Sequence, residues 1–362
     1  MSATVEEIEK TETGEETRNE LLLDSLEIKG YRCFEHLTIE KLGRVNLIVG
    51  KNNVGKTALL EALWLYSKGT TWAKVLDLMN RILERRNEKE EPERTFDNKK
   101  QIYIGNRDEA GDYFRHLFFK RLKQNNSKFL ISGNKPFIGT ISSEGQIQSV
   151  EVDFNNSKLD VSSGNQYHRN FPDEVNAFFI KSEGINVNSL TQIWDDLILR
   201  NEEDEGINSL KIISERIMDL NFINYPRGSK NRVPVVRVED IDERVPLSSL
   251  GEGMNRLLGI ALALVNCKDG ILLIDEIESG LHYSVLPDVW KLIFKTAKDL
   301  NVQVFATTHS SDCVKSFTQA AIDDEESDGM VIRLENKDGK IHAVNFNEDE
   351  LETVERRNIE VR

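Results

Sequence analysis

Residues 50–57 of the chain read Gly50-Lys51-Asn52-Asn53-Val54-Gly55-Lys56-Thr57. They follow an apolar stretch at 44–49 and precede a segment, 57–66, whose apolar residues recur at helical spacing. No other feature limits the fold so tightly. A G-x-x-x-x-G-K-[ST] loop between strand and helix wraps backbone N–H groups around a phosphate, and the helix N-terminus adds its partial positive charge. Lys56 is then placed to reach the β- and γ-phosphates, and Thr57 to offer a hydroxyl to Mg²⁺. A chance glycine turn before a helix would share the glycines but would not need the Lys-Thr pair or both flanks. The expected fold is therefore α/β, with a buried strand delivering this loop.

A second apolar strand, 271–274, ends in two adjacent acids, Asp275 and Glu276. Acids at the end of a central strand are costly unless they have a task, because unpaired buried charge is unfavourable. Asp275 suits the shell of a Mg²⁺ ion, and Glu276 suits a general base for an attacking water. Upstream lies Ser248-Ser249-Leu250-Gly251-Glu252-Gly253, which opens an apolar helix expected at 254–265. Taken alone, such a loop is also what an ordinary helix N-cap looks like. Downstream, Phe305-Ala-Thr-Thr-His309-Ser310 sets a histidine just past the next buried strand, expected at 302–306.

With these motifs in place the chain resembles the ABC-type P-loop ATPases, among them the SMC and RecF proteins. Ser249-Leu-Gly251-Glu252 resembles the core of their signature loop, with Ser248 where the leading Leu usually stands and Leu250 in place of one glycine. Glu278-Ser-Gly-Leu-His282 looks most like the corresponding segment of OLD-type ATPases, and Ile28-Lys-Gly-Tyr-Arg32-Cys-Phe34 resembles the first strand of the RecF, SMC and OLD group. The resemblance implies a central mixed sheet flanked by helices, an antiparallel β-subdomain and a helical insertion. It implies ATP and Mg²⁺ as cofactors, His309 as a switch at the γ-phosphate, and Arg32 near the nucleotide. It also implies a homodimer or higher homo-oligomer in which Ser249, Gly251 and Glu252 of one copy complete the other's ATP site. OLD nucleases carry a C-terminal TOPRIM domain. Only 53 residues follow His309 here, so the expectation is an ATPase part whose TOPRIM-like nuclease, or other effector, is a separate chain.

Composition narrows the partners. A net charge of -15 excludes a generally basic, DNA-coating protein, yet leaves room for DNA in one local groove. The basic stretches at 118–123 and 227–232 lack the interleaved aromatics of a binding platform. Nothing approaches a membrane span of ~18 apolar residues, and the start of the chain has no apolar signal region, so a cytoplasmic protein with reduced Cys33, Cys267 and Cys313 is expected. The expected organisation is an acidic disordered tail at 1–20 and an ATPase core at 21–85 and 232–345. A β-meander subdomain with a helical insertion fills 86–231, and 346–362 form a tail. The leading function is an ATPase that senses or clamps nucleic acid and controls an effector, in repair or anti-phage defence. The alternative is an ATP-gated signalling or scaffold module without nucleic acid. A P-loop kinase would have no use for the signature loop or His309.

Overall fold

Strands buried on both faces read as unbroken apolar runs, and three of the runs above fold into the middle of one sheet. The computed structural model describes residues 21–67, 81–82, 95–97, 102–104, 130–132, 175–225, 232–239, 241–251, 253–323, 327–346 and 350. The chain begins with β1 (Leu26–Tyr31), β2 (Phe34–Ile39), β3 (Val45–Val49) and α1 (Lys56–Ser67). Short strands β4 (Thr95–Asp97), β5 (Ile102–Ile104), β6 (Leu130–Ser132) and β7 (Ala177–Ile180) follow. Next come α2 (Val187–Arg200), α3 (Glu203–Ile213), β8 (Ile217–Asn224), β9 (Arg232–Val238) and β10 (Val245–Pro246). The last third holds α4 (Met254–Asn266), β11 (Ile271–Ile274), α5 (Leu286–Asp299), β12 (Gln303–Thr307), α6 (Ser311–Asp323), β13 (Gly329–Lys337) and β14 (Lys340–Phe346).

The central sheet is mixed, in the order β14-β13-β3-β12-β11-β7. Every neighbouring pair is parallel except the β13–β14 hairpin, which turns at Asp338-Gly339. β12 thus lies between the strand feeding the glycine loop and the strand ending in the two acids. Period-two alternation divides each strand between two cores. Val45, Leu47, Val49, Leu272, Ile274, Val304 and Ala306 face the core built with α4 and α5. Ile48, Ile271, Leu273 and Phe305 face the core built with α1 and the antiparallel sheet β2-β1-β6. Leu26-Glu-Ile28 and Leu37-Thr-Ile39 alternate as paired strands do, and they pair in the register Leu26↔Ile39 and Ile28↔Leu37.

Gln303 and Glu61, both buried in this layer, are paired. The Gln303 side chain accepts from Leu23 N and donates to the carbonyls of Leu23 and Gly43, tying Leu23 onto the sheet. Ten of the twelve residues of α1 are buried, so the helix is enclosed on all sides. Its fully buried Glu61 must therefore be compensated, and the guanidinium of Arg32 does so at 2.8 Å.

Two expectations are corrected. Ile207, Leu210, Ile213 and Ile217 recur at helical spacing in the sequence, which predicts one helix through all four, but Ile217 begins β8. A register shift between Ile217 and Asp219 spaces the buried Ile217 and Leu220 three apart, which imitates a helix in the sequence. The boundary that put all of 86–231 outside the core also moves. β7, at 177–180, is the edge strand of the central sheet, paired with β11, and four residues are too few to show a pattern. Within the insertion, α2 buries Leu190, Ile193, Trp194 and Leu197 in the first core. The expected 1–20 tail, the basic stretch at 118–123 and, apart from β6, the alternating segment 129–162 expected to form the meander lie outside the described residues.

Trp290 of α5 is fully buried, packs edge-to-face on Phe317 at 4.9 Å and donates its indole N–H to Cys313 O. Trp290→Ala removes that whole ring from a packed core, so stability should fall by about 3–5 kcal/mol in urea unfolding. A loss under ~1 kcal/mol would mean the α5–α6 contact is not packed as described. Burial also pushes the Cys313 thiol up to about 12, which leaves it unreactive at neutral pH.

Candidate functional site

The parallel registers decide which residues meet. Pairing of Thr307 with Ile48 and of Ile274 with Ala306 brings the ends of β3, β12 and β11 to one edge of the sheet. Ligands of open α/β sheets bind at that carboxyl edge. Residues 50–55 leave β3 there as the loop, and α1 begins at Lys56. Both glycines are required by contact. A Cβ at Gly50 (φ +140°) would lie 2.5 Å from Leu334 O, and one at Gly55 (φ +105°) would lie 2.6 Å from Cys33 Sγ. Asn53 also takes a left-handed φ of 60°. A cavity of about 600 Å³ opens beside the loop, lined by Gly50, Lys51, Asn52, Thr308, His309 and Ser310.

The buried Lys56 ammonium donates to Gly50 O at 2.7 Å and Lys51 O at 3.1 Å, so the loop is curled around it. It also sits 3.3 Å from His309 Nδ1. An ammonium only donates, so Nδ1 accepts and the ring proton is assigned to Nε2. Burial lowers the Lys56 pKa, and Asp275, Glu276 and Glu278 act against that shift. A cation held by carbonyls and a histidine acceptor, with no hydrogen bond to a carboxylate among the described residues, is set to take an anionic ligand.

Asp275 is buried, and Thr57 Oγ1 donates to it at 3.1 and 3.3 Å while Thr307 Oγ1 donates at 2.8 Å. Thr307 Oγ1 in turn accepts from Glu276 N at 2.8 Å. Glu276 takes a left-handed φ of 48°, so the backbone turns sharply between two consecutive acids. Its Oε2 accepts from Ser279 Oγ at 3.2 Å and its Oε1 lies 3.7 Å from His309 Nε2. His309 N donates to Glu278 Oε1 at 2.8 Å, which fixes the loop that carries the histidine. A phosphate-seeking cation, a hydroxyl–carboxylate pair and a half-buried second carboxylate beside a histidine are the parts of a nucleotide-hydrolysing site.

A family profile described as the AAA ATPase domain matches residues 22–314, most of the chain. The chain belongs to this family. It is an ATPase. A curated relative, the ATP/GTP phosphatase of Helicobacter pylori, is 26% identical over 337 residues, covering 82% of this chain and 88% of the relative. A 49-residue stretch, 14% of the chain and of the relative, is 41% identical to the DNA replication and repair protein RecF of Thioalkalivibrio sulfidiphilus. Among solved structures, an SMC head bound to the C-terminal winged-helix domain of ScpA is 12% identical, with 90% of this chain and 98% of that one covered and a TM-score of 0.47. The Thermotoga maritima SMC head is 15% identical, covering 90% and 99%, with a TM-score of 0.43.

In the ATPase, the residues read as phosphate- and metal-facing converge: Lys56, Thr57, Asp275, Glu276 and His309 form one connected set with the loop. Three others stand apart from it. Ser249 is exposed in a 3₁₀ turn (Leu247–Leu250), and its hydroxyl donates to Pro246 O at 2.6 Å. Gly251 follows at φ +142°, and Glu252 lies outside the described residues. Arg32 bonds Glu61 and Tyr31, and its Nη2 is buried without a hydrogen-bond partner. Sequence reasoning missed Thr307 and Arg256. Thr307 is one of two threonines at a strand end, and nothing but the register assigns it to Asp275. Arg256 stands in a helix whose apolar run draws the eye to its core face. Among the described residues, no helix is long and apolar enough to cross a membrane.

Proposed function

We propose that this ATPase is of the ABC type, in the OLD-like branch related to RecF and SMC proteins, and that it works as an ATP-dependent head-to-tail pair. One observation supports this most. The hydrolytic set Lys56–Thr57–Asp275–Glu276–His309 gathers at one sheet edge, while the Ser249–Gly251 loop is exposed and its Ser249 hydroxyl bonds the nearby Pro246 O. A loop left open in its own copy is suited to close over the γ-phosphate held by a second copy. Gly50 to Thr57 hold the triphosphate in this reading, with Lys56 on its outer phosphates. Thr57 and Asp275 fit Mg²⁺, because a hydroxyl and a carboxylate already meet there and a hard cation takes few protein oxygens beside phosphate. The ion would neutralise phosphate charge. Glu276 orients and deprotonates the attacking water, and His309 reports the γ-phosphate to it.

The pair's ATP state controls an effector acting on nucleic acid, such as a separately encoded TOPRIM-like nuclease, in DNA repair or antiviral defence. The short match to RecF, a DNA replication and repair protein, supports the nucleic-acid side of this reading. The experiment is a mixing assay run with and without duplex DNA. Lys56→Ala and Ser249→Arg chains, each inactive alone, should together recover turnover, since one intact composite site re-forms in the mixed pair. Duplex DNA should raise wild-type turnover, and the rise should fade with added salt as phosphate contacts are lost. Mixed pairs that form without recovering turnover would sink the composite site. Turnover indifferent to DNA at low salt would favour the ATP-gated scaffold instead.

A further inference from the structure

Arg256 is the third residue of α4, just past the Ser–Gly loop, yet its guanidinium turns inward. Nη1 donates to Lys181 O at 2.9 Å, and Nη2 donates to Glu276 O at 3.2 Å and Asp275 O at 3.4 Å. These carbonyls lie at the ends of the adjacent strands β7 and β11, paired at Ile180 and Ile274. Room for the group is made by Gly184 (φ +87°), where a Cβ would stand 3.1 Å from Nη1. Nε is buried with no hydrogen-bond partner. Burial lowers the Arg256 pKa, against the opposing pull of Glu278, Glu183, Asp275 and Glu276. Enclosing a guanidinium with one N–H unpaired is costly, and a solvated arginine at this helical position would avoid the cost. What the enclosed group provides is a rigid planar fork bridging two chain segments, which a lysine ammonium cannot reproduce. Two of the three acceptors are the carbonyls on either side of the Glu276 Cα, the residue held at φ 48°. A non-glycine residue persists there only where its surroundings over-determine it.

We propose that Arg256 is a positioning residue for hydrolysis: it fixes the backbone of Glu276, aims that carboxylate at the site, and ties it to the helix opened by the Ser–Gly loop. The proposal rests on Glu276 acting as the base. It gives the pair a mechanical link, because any shift of α4 as its loop meets a nucleotide moves the carbonyls that hold Glu276.

The test compares Arg256→Gln, Arg256→Lys, Glu276→Gln and the double variant Arg256→Gln/Glu276→Gln in the full chain. ATP affinity, single-turnover phosphate release and thermal melting are measured for each. Arg256→Gln should bind ATP within about threefold of wild type, since a difference under ~1 kcal/mol is expected where no phosphate contact is removed. Its hydrolysis should fall by about 10²-fold, the cost of a ~1 Å misplacement of a reacting group. Arg256→Lys, which keeps the charge without the fork, should recover only part of that loss, and it carries the comparison if Arg256→Gln does not fold. Because Arg256 acts through Glu276, the double variant should be no slower than Glu276→Gln alone. Losses that multiply in the double variant, or a loss of turnover fully explained by weaker ATP binding, would overturn the proposal while leaving the base assignment standing. Wild-type turnover by Glu276→Gln alone would instead overturn that assignment and the proposal with it.

Discussion

Lys56→Ala should abolish measurable ATP binding and, with it, all turnover. The ammonium is the buried cation of the site, and its present partners are two carbonyls and a histidine nitrogen. Each charge-assisted hydrogen bond it would transfer to phosphate oxygens contributes about 1.5–3 kcal/mol. Two such bonds correspond to roughly a 10²- to 10⁴-fold loss of affinity. Alanine also leaves Gly50 O and Lys51 O without their donor, so the loop loses its template as well as its charge. Titration of a fluorescent ATP analogue, with circular dichroism to confirm folding, reads the effect directly. A folded Lys56→Ala chain binding within about threefold of wild type would show that the phosphates sit elsewhere.

Glu276→Gln should leave binding intact and reduce phosphate release by about 10²- to 10⁴-fold, the range for removing a general base. The amide keeps the shape of the carboxylate and can still accept from Ser279 Oγ, so the local hydrogen bonds survive. Only basicity is lost. The contrast with Lys56→Ala separates an anchor that binds ground state and transition state alike from a group needed in the transition state alone. If pairing is driven by ATP, the Glu276→Gln chain should also accumulate as an ATP-bound pair in size-exclusion chromatography, while Lys56→Ala should not. Phosphate release by Glu276→Gln at the wild-type rate would move the base to another residue.

The residues that carry chemistry were legible because each is bound to its neighbours in sequence. The 50–57 loop, the acids ending 271–274 and the histidine past 303–307 are short-range patterns, and a parallel sheet needs each strand to run out at the same edge. From the residues alone came the α/β class, the strands and helices bearing these motifs, and the phosphate-binding chemistry. Elements without such signatures were not legible. β7 is four residues long, and β8 hides behind a register shift that mimics helical spacing. Only the tertiary structure decided that β12 separates the loop strand from the acidic strand, because strand order is set by long-range pairing that leaves no local trace. It alone decided that Thr307 binds Asp275, that Arg32 is spent on Glu61, and that Arg256 reaches back to the carbonyls of Asp275 and Glu276. Each of those contacts joins residues brought together by the sheet register and by burial, where an uncompensated charge or hydroxyl must find whatever partner the fold places beside it.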